Sequence, residues 1–130
     1  MRKEKLSILL IDDNVHFTRR MVSILNEVDD ISFIHTANHA DEALGLLDKN
    51  PDLVFLDINM PGTNGLDLLR QIKNDTNNCE VVMLTNNSGE YYRDHCLKLG
   101  ALHFLDKTIE FEQVPSVIKK FAAQKNPQAN

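Results

Sequence analysis

Five times along this chain a short, mostly apolar run is followed by a stretch whose apolar residues recur three and four apart. This alternation constrains the fold more than any other feature of the sequence. The runs are Leu6–Ile11, Ile31–His35, Leu53–Leu56, Val81–Leu84 and Leu102–Leu105. Runs apolar at nearly every position suit strands buried on both faces, as in a parallel sheet.

The stretches between them read as amphipathic helices. Phe17, Met21, Ile24, Leu25 and Val28 form one stripe, and Ala40, Ala43, Leu44 and Leu47 a second that ends before Asn50-Pro51. Leu66, Leu69 and Ile72 form a third, with Asn64-Gly65 at its start. A fourth helix is expected from about Ser88 to Leu99, closing at Gly100, a residue suited to the left-handed position after a helix. Val114, Val117, Ile118 and Phe121 form the fifth, where Pro115 is tolerable only in the first turn. Strand then helix, repeated five times, implies an α/β fold with a doubly wound sheet and right-handed crossovers.

A chain of 130 residues fits one domain and can bury enough surface to fold without metal or disulfide. The polar tail Gln124–Asn130 is expected to fray. The net charge of -5 argues against nucleic-acid binding by this chain alone, because phosphate neutralisation needs a basic face. Cys79 and Cys96 have neither paired nor metal-type spacing and read as buried thiols in a reducing compartment. No apolar stretch approaches the ~18 residues of a membrane span, and the apolar-rich run after Met1-Arg2-Lys3 and Glu4 is too short for a signal peptide. No membrane contact is therefore expected, and the location expected is cytoplasmic.

Ligands of an open parallel sheet bind beyond the carboxyl ends of its strands. There the first strand ends in Asp12-Asp13, the third in Asp57 and the fourth in Thr85, and Lys107 follows the fifth. Each has an ordinary explanation as a cap or turn residue. As a set they do not, because three carboxylates gathered at one edge repel one another unless a cation balances them. With no Cys or spaced His nearby, that ion is a hard, oxygen-preferring one, and Mg2+ fits. Metal and Lys107 together offset the three formal charges, so the site can take a dianionic phosphoryl group, whose oxygen Thr85 can hydrogen-bond.

These segments, LLIDDN (Leu9–Asn14), VFLDINMPGTNG (Val54–Gly65), VVMLTNN (Val81–Asn87) and LGALHFLDK (Leu99–Lys107), resemble the receiver domain of two-component response regulators, single-domain chemotaxis regulators included. The resemblance spans about residues 5–124 and implies a flavodoxin-like (βα)5 sheet of order 2-1-3-4-5, a receiver domain over 1–124 and a flexible tail at 125–130. It further implies that Asp57 takes a phosphoryl group from a sensor histidine kinase or histidine phosphotransfer protein. Asp13 would bind Mg2+ directly, Asp12 would bind it through water or position it, and the main-chain carbonyl of Asn59 would complete the protein's share. Met60-Pro61 and Gly62 would shape the loop, Gly65 would allow its close return to the helix, and Thr85 and Lys107 would hold the phosphoryl oxygens. Phe104 stands at the switch aromatic, with a fixed core aromatic as its plainer reading. The output would pass to a downstream protein through the fourth helix, fifth strand and fifth helix, with a phosphorylation-dependent homodimer as a further partner. The protein would be a phosphoacceptor with slow autodephosphorylation rather than an enzyme.

Three departures from the family pattern stand out. Asn86 occupies a position usually small, Thr108 replaces the common proline after the lysine, and Asn59 and Asn87 flank the path of hydrolytic water. His16, His35, His39, His95 and His103 lack metal spacing and read as surface or cap residues, His16 lying nearest the site. Rival readings are weaker. A haloacid-dehalogenase-type phosphatase would want Asp rather than Asn59 as general acid, and no GxxxxGK stretch exists for a nucleotidase. A phosphate-independent interaction module is disfavoured by the intact five-residue set. Stand-alone regulator and receiver portion of a longer transcriptional regulator both remain open.

Overall fold

The computed structural model describes residues 5–60, 62–75, 79–86 and 90–125, so Pro61, Asn87, Ser88 and the tail from 126 onward lie outside the described residues. Five parallel strands make the central sheet: β1 (Leu6–Ile11), β2 (Ile31–Ala37), β3 (Leu53–Leu56), β4 (Glu80–Thr85) and β5 (His103–Asp106). Their order across the sheet is β2-β1-β3-β4-β5, as expected. The structure adds a small antiparallel hairpin, Asn59–Met60 against Thr63–Asn64, which the apolar pattern does not announce.

Helices α1 (Val15–Leu25), α2 (Ala40–Leu46), α3 (Gly65–Asp75), α4 (Glu90–Lys98) and α5 (Val114–Lys125) connect the strands. Asn14 starts α1 by accepting the Phe17 N–H at 3.0 Å on its side-chain oxygen. Beyond α2 a short 3-10 turn runs to Lys49, and Asn50 (φ 54°) stops it in the left-handed region just before Pro51. Gly100 closes α4 at φ 105°. α5 continues to Lys125, so Gln124 and Lys125 are helical rather than part of a frayed tail.

The alternation of side chains along the inner strands feeds two cores. Leu6, Ile8 and Leu10 pack with Phe17, Met21 and Leu25 of α1 and Val114, Val117 and Ile118 of α5. Leu9, Ile11, Val54 and Leu56 pack with Ala43 of α2, Leu68, Leu69 and Ile72 of α3 and Cys96 of α4. Emptying any one of these fully buried leucine sites costs about 2–5 kcal/mol. β2 departs from the expectation of burial on both faces, because it is an edge strand and leaves Phe33 62 % exposed.

Candidate functional site

β1 and β3 are adjacent and parallel, with Ile11 opposite Leu56, so the residues that follow leave the sheet side by side. Asp12 donates its N–H to the Ala37 carbonyl at 3.0 Å and Asp57 to that of Ile11 at 3.2 Å, which holds both on the sheet's carboxyl edge. Carboxylate oxygens of Asp12, Asp13 and Asp57 lie within 4.8 Å of one another. Asp12 and Asp57 are only 1 % and 5 % exposed, whereas Asp13 faces solvent. The donor set is hard and all-oxygen, as a divalent cation such as Mg2+ requires.

Lys107 reaches this cluster because β5 pairs with β4, Thr85 opposite Asp106, and the Lys107 N–H donates to the Thr85 carbonyl at 3.0 Å. Its Nζ lies 2.6 Å from Asp12 Oδ2 and 3.1 Å from Asp57 Oδ2, bridging the two buried acids. Burial pushes the Asp12 carboxyl above its ordinary range. The hydrogen bonds from Lys107 and from the Asn14 N–H offset this only in part, and neighbouring Asp57 adds to the rise. Thr85 is fully buried at the end of β4, beside this group.

Asn59 donates its N–H to Asp57 Oδ1 at 3.2 Å and, with Asp13, Met60, Gly62, Asn64 and Tyr92, lines a cleft of about 610 Å³. Asn59 is thus at the cleft, adjacent to the carboxylate cluster. Gly65 makes the tight return: a Cβ there would lie 2.4 Å from Ile58 Cα and 2.5 Å from the Asp57 carbonyl oxygen. Phe104 points into the second core at 2 % exposure. The Lys107–Thr108 bond is trans, like every peptide bond among the described residues, and the Thr108 hydroxyl donates to Asn86 Oδ1 at 3.3 Å. His16 lines a second cleft with Asn14, Phe17, Arg20, Asn86, Lys107 and Thr108.

Two contributors were not singled out from the sequence. Phe17 reads there only as a core residue of the first stripe, yet its ring centre lies 4.4 Å from Lys107 Nζ, a cation–π contact that helps hold the ammonium in place. Tyr92 lines the cleft from α4, and no motif marks it.

A family model described as response regulator receiver domain matches residues 8–119. The transcriptional regulatory protein CpxR of Klebsiella pneumoniae is 35 % identical over 114 residues, covering 86 % of this chain and 47 % of that protein. The nitrate/nitrite response regulator protein NarL of Escherichia coli K12 is 30 % identical over 122 residues, covering 93 % of this chain and 56 % of that protein. This chain therefore spans about half the length of these curated relatives. Among solved structures, the signal receiver domain of a DNA binding response regulator from Colwellia psychrerythraea 34H superposes with a TM-score of 0.83 at 28 % identity, covering 89 % of this chain and 97 % of that one. No helix among the described residues is long and apolar enough to cross a membrane. With the receiver model matched along most of its length and the five-stranded parallel fold in place, the chain belongs to the response regulator receiver domain family of two-component systems.

Proposed function

We propose that Asp57 is a phosphoacceptor whose modification switches protein–protein contacts. The observation that carries this reading is the placement of Asp57 beside Asp12 and Asp13 with Lys107 Nζ 3.1 Å from its carboxylate. An Asp57 carboxylate oxygen attacks the phosphorus of a phosphohistidine on a sensor kinase or phosphotransfer protein. The new O–P bond forms as the P–N bond breaks, and that electron pair returns to the imidazole. Lys107 pairs with the phosphoryl oxygens as they approach, and the Thr85 hydroxyl donates to one of them. Asp12, Asp13 and Asp57, with the Asn59 carbonyl, would hold Mg2+, which when bound neutralises charge on the transferring group.

Modification draws Thr85 toward the phosphoryl group, and Phe104 and the face built by α4, β5 and α5 carry the change to a downstream protein or a second copy. The bias needed between two packings is a few kcal/mol. Self-catalysed uptake and slow loss of phosphate make the protein a switch rather than a turnover enzyme, acting in the cytoplasm. Because CpxR and NarL, by name a transcriptional and a response regulator, are about twice the matched length, we favour a receiver that acts within a longer regulator.

The test is incubation with radiolabelled acetyl phosphate and Mg2+. Label should reach the wild type, vanish on Asp57→Asn and on chelation of the metal, and fall at least about tenfold on Lys107→Ala. Equal labelling of Asp57→Asn would remove the assignment.

A further inference from the structure

β5 lies at the edge of the sheet, beyond β4, with no sixth strand among the described residues against its outer side. Three of its outward main-chain groups are nevertheless hydrogen-bonded. Arg93 Nη1, from α4, donates to the Phe104 carbonyl at 2.8 Å. Glu110 Oε1, from the turn before α5, accepts the Asp106 N–H at 2.9 Å. The same Oε1 accepts from Arg93 Nη2 at 3.1 Å, and the Glu110 N–H donates back to the Asp106 carbonyl at 2.9 Å.

The polarity of this arrangement is informative. In a parallel ladder one residue of a neighbouring strand donates its N–H to the carbonyl of one residue and accepts from the N–H of the residue two further on. Phe104 O and Asp106 N–H are such a pair. Arg93 supplies the donor and Glu110 the acceptor, so the ion pair stands in for one residue of the missing strand. The Arg93 guanidinium also lies 5.1 Å from the centre of the Phe104 ring.

We propose that Arg93 and Glu110 form a polarity-specific edge clamp that ties α4 to the Phe104–Lys107 segment. α4 then cannot shift against β5 without releasing the Phe104 carbonyl and the Glu110 carboxylate that holds the Asp106 N–H next to Lys107. The clamp also closes the strand edge to pairing with another chain, a problem that exposed edges otherwise pose. Its role in signalling rests on the phosphoacceptor reading of Asp57, whereas the clamp itself does not.

An ordinary surface ion pair is indifferent to which side carries which charge, and this clamp is not. In Arg93→Glu/Glu110→Arg a carboxylate would face the Phe104 carbonyl and a guanidinium the Asp106 N–H. Amide exchange followed by NMR tests this directly. Glu110→Ala should speed exchange at the Asp106 N–H about tenfold, and Arg93→Ala about threefold. Glu110→Gln, which keeps an acceptor oxygen, should stay near the wild type. The charge-swapped double variant should exchange as fast as Glu110→Ala. Rescue by the swap, or Glu110→Gln behaving like Glu110→Ala, would mean a simple ion pair and overturn the clamp.

The coupling has a separate readout. With Mg2+ present, Arg93→Ala should bind beryllofluoride about threefold more tightly, because the ligand no longer has to open the clamp. Unchanged affinity overturns the coupling. Failure of the wild type itself to bind beryllofluoride counts against Asp57 as acceptor and leaves the clamp to be decided by the exchange rates.

Discussion

Lys107 shares its ammonium between two buried carboxylates, so Asp12 and Asp57 together carry more negative charge than one lysine offsets. Burial raises the Asp12 carboxyl, Lys107 offsets the rise only in part, and the charge of Asp57 adds to it. A raised folded-state value means that the native protein holds this proton more tightly than the unfolded chain. Its contribution to stability is therefore present below the ordinary carboxylate range and is lost as pH rises through the raised value. Asp12→Asn removes the titration while leaving Lys107 paired one-to-one with Asp57. In chelator-treated protein, urea unfolding should show the wild type losing stability against Asp12→Asn as pH rises over that window. Parallel stability curves for the two proteins would contradict this. The motif spacing brought Asp12, Asp13, Asp57, Thr85 and Lys107 to one edge. Phe17 under the ammonium was not legible, since a cation–π contact between α1 and the β5 end has no local sequence signature.

At the scale of elements, α3 shows how one glycine sets a packing face. The sequence stripe is Leu66, Leu69 and Ile72, but the residues buried are Gly65, Leu68, Leu69 and Ile72. At ~100° per residue, Gly65 lies near the middle of that buried set and Leu66 to one side of it. The missing Cβ lets the helix start lie against Ile58 and the Asp57 carbonyl, which turns Leu68 inward. Gly65→Ala should destabilise the protein by about 1–3 kcal/mol, because the atoms it meets are backbone and cannot swing aside. It should also reduce acetyl-phosphate labelling by displacing Asp57. Leu68→Ala should cost about 2–4 kcal/mol and Leu66→Ala less than about 1 kcal/mol. Denaturant titration of the three variants checks the order, and a larger loss at Leu66 would refute this account of the face.

Across the whole molecule, the sheet separates two cores, and both thiols lie buried in or against the one beneath α2, α3 and α4. Burial pushes Cys96 up to about 11, and raises Cys79 as well despite the opposing charge of Lys73. Thiolate is therefore scarce at pH 8, and access requires opening of the fold. A thiol reagent should label native protein slowly and unfolded protein at once, with rates rising in step with denaturant. Rapid labelling in buffer would show that this core opens more readily than its packing implies.

By itself the sequence determined the strand–helix alternation, the doubly wound class and the edge where the charged residues gather, because these follow from local periodicity and from the ends of apolar runs. It also carried the family resemblance, since the motifs are short and contiguous. Only the tertiary structure decided the exposure of β2, the hairpin at Asn59–Asn64, the ring beneath Lys107 and the closure of the β5 edge by Arg93 and Glu110. Each of these depends on which elements become neighbours. Periodicity along the chain is blind to that, because a residue's apolar or polar character does not name its partner.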